Sequence, residues 1–284
     1  MTAKLLASIL LSSLIGTVAL ARDASVGANE STLASQNAAL SANTVGKGYG
    51  PQSPRDLGSK NGLNKRIFNP APAVQNMNLC NIHMHKNAEH KGGEFTEFAG
   101  YGDGHGYETG YKYSGKLSAV ESKPLSTQVC KGEHGGLSVG DTIEVHYVFS
   151  SAQVQPGATL GSCLSETVGN PQLRVEGQVL VLVNDPAALD FEVLAKTGEL
   201  NGYQQALNIP KNTGVPVEYA GSTTGPNYNE KGSPLQVSWR VYPKVLKVNA
   251  ETVGKWCSGN IFKEDHAHGV RNLVKDPDLL SVIK

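Results

Sequence analysis

The chain has 284 residues, 25 of them basic and 25 acidic, and only 6% are aromatic. A formal charge of zero offers no basic face for nucleic acid or anionic lipid. The length suffices for one large domain plus a tail, and 32 glycines suit a loop-rich β protein better than a helical one.

Residues 1–21 read as a secretory signal. Lys4 supplies the positive start, Leu5 to Leu20 the apolar core, and Ala19-Leu20-Ala21 a cleavage site cut after Ala21. That core falls short of the roughly 20 residues a spanning helix needs. The expectation is a periplasmic or secreted protein with no membrane association after cleavage. Residues 22–45 are rich in Ala, Ser and Asn with few large apolar side chains, and read as a flexible leader. Residues 46–79 carry Gly, Pro and Asn at short intervals and read as an extended covering segment of the main domain, residues 46–284.

Beyond Cys80 strand signals dominate. Residues 81–85, 142–149, 172–183 and 235–248 are rich in Val, Ile, Tyr or Trp, with turn residues between them. The continuously apolar Val179–Val183 run predicts a central, doubly buried strand. Asp185-Pro186 opens a predicted short helix over 185–194. Residues 92–115 are so glycine-dense that they read as a long functional loop. The fold class is therefore mostly β, of the α+β kind: a single domain on a large, mainly antiparallel twisted sheet with short peripheral helices. Cys80, Cys130, Cys163 and Cys257 contain no C-x-x-C pair, and in an exported chain they read as two disulfides with three possible connectivities. The expected pairing is Cys80–Cys257 with Cys130–Cys163.

The chemistry concentrates in Cys80-Asn-Ile-His83-Met-His85-Lys-Asn-Ala-Glu89-His90. On a strand, positions i and i+2 share a face, so His83 and His85 project together while Ile82 and Met84 face away. Two such imidazoles form half of a tetrahedral zinc site. His146, in the strand-like Asp141–Ser150 run, is the expected third ligand. Three neutral imidazoles leave zinc its double charge and an open position for water, whose pKa falls to about 7. Glu144 shares the face of His146 and would orient a ligand imidazole, while Val148 would put an apolar wall beside the metal. Glu89 reads as a hydrogen-bond acceptor acting through a hydroxyl, and His90 as a structural histidine. His105 and His134 lie in glycine-rich loops and are candidate proton carriers. His266 and His268 repeat the H-x-H spacing among charged residues and read as decoys.

The run Cys80-Asn-Ile-His-Met-His-Lys-Asn-Ala-Glu-His-Lys-Gly-Gly-Glu-Phe95, with Gly102-Asp-Gly-His-Gly-Tyr107, resembles the delta-class carbonic anhydrases, exported bacterial members included. Fainter likenesses to the alpha class lie in Gln52-Ser-Pro54, in Glu144-x-His146-x-Val148, in Tyr219-Ala-Gly-Ser-Thr223-Thr224-Gly-Pro226 and in Val237-Ser-Trp239. The resemblance implies an alpha-carbonic-anhydrase-like fold and one zinc ion per chain on His83, His85 and His146. The implied reaction is attack of zinc-bound hydroxide on carbon dioxide, with bicarbonate and a proton as products. It implies a Thr223 hydroxyl that donates to Glu89, and Val148, Leu180 and Trp239 around the substrate. The gatekeeper loop is one residue short and has Gly225 for a proline, so Thr223 and Thr224 compete for that register. No histidine matches the alpha-class proton shuttle.

Two rival readings remain on the residues alone. His83-x-His85-x-x-x-Glu89 also fits the ligand spacing of a cupin-like iron or manganese protein, in which Glu89 would bind the metal. A non-catalytic periplasmic metal-binding protein would instead add His90 as a fourth ligand.

Overall fold

In the computed structural model, residues 28–283 are described, so the expected signal at 1–21 lies outside them. The chain begins with helix α1 (Glu30–Thr44), whose first turn is capped by the Asn29 side chain accepting from Ser31 and Thr32 N–H. Over residues 30–44 a helix thus stands in place of the expected flexible leader, while residues 22–27 of that leader lie outside the described residues. Leu33 and Leu40 lie seven residues apart on one face, and Leu40 packs on Val274, Leu279 and Leu280 near the C-terminus. Gln36 adds buried hydrogen bonds to Gly104 O (2.7 Å) and from Asn272 Nδ2 (2.8 Å). Few apolar residues suffice here because the partner surface is supplied from the far end of the chain.

The 46–79 segment is largely irregular, as expected, and is tied down by a bridge between Gln52 and Leu280. Strand β1 (Asn78–Lys86) follows it. The glycine-dense stretch is not one loop but a hairpin of β2 (Glu97–Tyr101) and β3 (Thr109–Lys112). A small hairpin of β4 (Val129–Gly132) and β5 (Gly135–Leu137) precedes the long strands β6 (Thr142–Ser150) and β7 (Leu173–Val183). The expected helix over 185–194 shrinks to α2 (Phe191–Leu194), capped by Asp190, while Asp185 closes a turn through Ala187 and Ala188 N–H. The hairpin of β8 (Thr197–Leu200) and β9 (Tyr203–Ala206) comes next. Then come β10 (Val217–Ser222), β11 (Gln236–Asn249) and helix α3 (Ala250–Cys257).

Five strands make the main sheet in the order β1-β6-β7-β11-β10. Every neighbouring pair is antiparallel except β7 with β11, which run parallel. Alternation sorts the strands' side chains onto two cores. One face carries Ile82, Met84, Ile143, Val145, Tyr147, Leu180 and Leu182 beneath Phe191, Trp256 and Phe262. The other carries Val148, Val175, Val179, Tyr219, Trp239 and Val241. The Val179–Val183 run is buried throughout, with β6 and β11 on either side.

The disulfides are Cys80–Cys163 and Cys130–Cys257, which corrects the expected pairing. Pairing between β1 and β6 slips between Leu79 and Asn81, a bulge at Cys80. Strict alternation would put Cys80 with Ile82 on the face that α3 covers. The bulge leaves it instead in the Val148 core, where Cys163 lies, while Cys257 of α3 meets Cys130 on the opposite face.

Candidate metal centre

Register on β1 and β6 builds the site. His83 sits opposite His146 and His85 opposite Glu144, so three imidazoles and a carboxylate share one face at the sheet's edge. On the next strand Gly177 lies opposite His146, where a Cβ would make ordinary contact with Glu144 Oε1 at 3.4 Å. The rings of His83, His85 and His146 lie 4.7–5.1 Å apart between centroids.

Each imidazole has one nitrogen already committed. His83 Nδ1–H donates to Asn81 Oδ1 (2.6 Å), His85 Nδ1–H to Gly269 O (2.7 Å) and His146 Nε2–H to Glu144 Oε1 (2.8 Å). The opposite nitrogens converge, each trio member offering an atom within 4.8 Å of the others, with His83 Nε2 and His146 Nδ1 3.2 Å apart. His85 Nε2 is buried with no hydrogen-bond partner. Three lone pairs aimed at one point repel one another unless a cation lies between them, and a buried nitrogen without a partner is costly. The donor set thus fits a metal ion taking three imidazoles. Burial, reinforced by His146 and His85, pushes His83 well below the usual imidazole range. Burial likewise takes His85 to about 4, with Glu89 opposing and His146 adding. Both are neutral at pH 7, the form a metal needs.

Behind the imidazoles sit two buried carboxylates. Glu144 Oε1 also accepts from His90 Nδ1 (2.7 Å), and His90 Nε2 meets the Tyr219 hydroxyl (2.8 Å). Burial alone would raise Glu144, yet His90 and His146 hold it well below the ordinary carboxylate range. Glu89 is fully buried, and against that burial His85 and Arg55 bring it down to about 2. Its Oε1 accepts from Arg271 N–H (3.2 Å) and lies 3.3 Å from Arg55 Nη1. Its Oε2 accepts from the Thr224 hydroxyl.

That last contact corrects the register of the loop: Thr223 is paired with the Ser233 hydroxyl and points elsewhere. Its amide is held by Leu235 O, which leaves Thr224 to turn toward Glu89. Glu89 is 4.0 Å from His146 and engaged by Arg55, Arg271 and Thr224, and both His90 nitrogens are taken. Neither joins the converging trio.

A sequence model of the delta carbonic anhydrase family matches residues 74–252, more than half of the chain. The chain belongs to that family. The cupin-like reading is thereby set aside. No curated protein matches the chain in sequence. Among solved structures, a halotolerant carbonic anhydrase from Dunaliella salina is similar at 16% identity with a TM-score of 0.23, over 48% of this chain and 53% of that one. The match thus spans about half the length of the Dunaliella protein. An alpha-carbonic anhydrase from Thermovibrio ammonificans, in complex with sulfanilamide, is similar at 13% identity with a TM-score of 0.26, over 78% of this chain and 84% of that one.

In this delta carbonic anhydrase family member, Val148 and Trp239 lie on the site face. The Trp239 ring is 5.1 Å from that of His146, and its indole N–H donates to Ser222 O (3.1 Å). Leu180 does not join them. It pairs with Ile143 and faces the opposite core, and Val179, opposite Glu144, takes its place on the site face.

His105 and His134 both line a polar cavity of about 730 Å³, together with Tyr107, Lys231 and His268. His134 stacks on Tyr107 at 3.6 Å. His268, which reads as a decoy in sequence, lies with its ring 5.8 Å from His83 and 6.0 Å from His85. Its backbone bridges Met84 and Lys86 on either side of His85. The 266–268 spacing is legible in the sequence, but nothing local to it signals that this segment returns to the edge of β1.

Proposed function

We propose that the protein catalyses reversible hydration of carbon dioxide to bicarbonate and a proton, with one zinc ion held by His83 Nε2, His85 Nε2 and His146 Nδ1. The observation that carries this reading is the convergence of three lone-pair nitrogens whose opposite nitrogens are all committed. Zinc bound there supplies a water acidified to a pKa of about 7, the nucleophile for carbon dioxide.

The chain's own residues do the rest. Asn81, the Gly269 carbonyl and Glu144 fix the tautomer and tilt of each imidazole. Glu89 takes the Thr224 hydroxyl hydrogen, so Thr224 can only accept from a group on its other side, which orients the attacking oxygen. Val148 and Trp239 give carbon dioxide an apolar wall. The proton leaves through the cavity that His105 and His134 line. Two disulfides suit folding in an oxidising compartment, in keeping with export by the 1–21 signal. Among the described residues no helix is long and apolar enough to cross a membrane.

The test is stopped-flow carbon dioxide hydration beside metal content, for wild type and His146→Ala. Rapid hydration with about one zinc per chain, both lost in the variant, establishes the reading. A tightly bound metal without hydration overturns it and leaves a metal-binding protein.

A further inference from the structure

Arg55 is 3% exposed, and none of its guanidinium nitrogens meets a hydrogen-bond acceptor. A buried guanidinium that leaves its donors unused needs a reason. Its one ionic partner among the described residues is Glu89, whose Oε1 lies 3.3 Å from Nη1. The backbone holds the two in register. Lys91 N–H donates to Arg55 O (2.6 Å), Leu57 N–H donates to Lys91 O (2.9 Å), and Lys91 pairs with Asp56 (2.9 Å). The segment that carries Arg55 is thus stitched to the residue two positions after Glu89.

Arg271 does not share this task through its side chain. Its guanidinium turns to Gln52 Oε1 (2.9 Å) and Ser222 Oγ (3.4 Å), and only its backbone N–H reaches Glu89. Apart from Arg55, Oε1 is held by that one N–H at 3.2 Å and Oε2 by the Thr224 hydroxyl, and the terminal torsion of a glutamate has broad minima. A cation on the Oε1 side removes that freedom and leaves Oε2 facing Thr224.

We propose that Arg55 is a positioning residue for carbon dioxide hydration: it locks the Glu89 carboxylate so that Oε2 alone accepts from Thr224, which sets the direction of the Thr224 lone pairs. This rests on the reaction proposed above. Among the described residues the one ionic contact of Arg55 is Glu89, and it acts through that carboxylate.

The experiment is a pair of double-mutant cycles on the full chain. In stopped-flow hydration, Arg55→Met should lower kcat at least tenfold with KM and zinc content unchanged, and Arg55→Lys should recover part of the loss. In a Glu89→Gln background, Arg55→Met should change kcat by less than twofold. In metal-free protein, the urea-midpoint shift of Arg55→Met with Thr224→Val should be smaller than the sum of the single shifts. If Arg55→Met alone does not fold, the charge-neutral Arg55→Met/Glu89→Gln chain decides: kcat equal to that of Glu89→Gln supports the proposal, and a further fall overturns it. Wild-type kcat in Arg55→Met, or additive losses in both cycles, also overturns it. An inactive wild type would instead remove the hydration reading itself.

Discussion

Glu144 accepts a 2.8 Å hydrogen bond from His146 Nε2, two residues along the same strand and on the same face. The bond leaves Nδ1 of His146 as the lone-pair nitrogen, so the carboxylate decides which ring atom would meet a metal ion. Its second bond, from His90, holds it in place from behind.

Replacing Glu144 by Ala should weaken zinc binding about 10- to 100-fold, as removal of such outer partners does elsewhere. It also strands the His90 and His146 N–H groups in a dry site, at about 1–3 kcal/mol each. Competition with a chromophoric chelator measures the first effect and urea unfolding the second. Unchanged zinc affinity would show that His146 does not need the carboxylate to orient it.

The two threonines of the short loop should separate cleanly. Thr224→Val removes the donor to Glu89 and should lower kcat by about 10² or more, the scale of a lost positioning contact at a reacting centre. Thr223→Val loses only the Ser233 contact and should cost about 1 kcal/mol of stability with kcat near wild type. Reversed outcomes in stopped-flow assays would restore the register that the sequence suggests.

Metal-free protein should lose stability as pH falls through the histidine range. His85 is held at about 4 in the fold against an ordinary imidazole value of 6.5, chiefly by burial. Above 6.5 both folded and unfolded chains carry it neutral. Between 6.5 and 4 the unfolded chain binds a proton that the folded one refuses, so stability drops with pH and the loss is complete below 4. At pH 5 this amounts to about 2 kcal/mol from His85, with His83 adding in the same direction. Glu89, held at about 2, contributes its own loss only below about 4.5. Urea unfolding of chelator-treated protein at pH 7.5 and 5 checks this; equal stabilities would contradict it.

The disulfides should differ in what they protect. Each closes a long loop, spanning 83 and 127 residues, worth about 4–5 kcal/mol on chain-entropy grounds. Cys80 adjoins Asn81, which orients His83, so Cys80→Ala/Cys163→Ala should lower both stability and zinc affinity. Cys130→Ala/Cys257→Ala lies on the opposite face and should lower stability alone. Thermal melts beside zinc titrations separate the two; equal effects on zinc would dissolve the distinction.

Much of this site is legible in the sequence because its parts obey strand periodicity. His83, His85, Glu144, His146 and Val148 each sit at spacing two, and the pairing of β1 with β6 brings the two runs into contact. What escapes is whatever depends on an irregularity or on a distant return of the chain. The bulge at Cys80 reverses the face that alternation predicts, and with it the disulfide pairing. Leu180 fails by a single residue of phase, because one position along a strand is the other side of the sheet. Helix α1 has too little apolar surface to be seen alone, since the residues that cover Leu40 lie beyond residue 270.

The C-terminal return also sets an order of events. Gly269 supplies the carbonyl that orients His85, and Arg271 the amide that holds Glu89, and both follow His85 and Glu89 by more than 180 residues (separations of 184 and 182). A polypeptide made or threaded through a membrane from its N-terminus presents His83, His85 and His146 long before either partner emerges. Until then His85 lacks the carbonyl that fixes its tautomer and Glu89 the amide that holds it. The geometry around His85 and Glu89 is complete only when residues 268–271 fold back against β1, so any discrimination among metal ions by this site would follow that step.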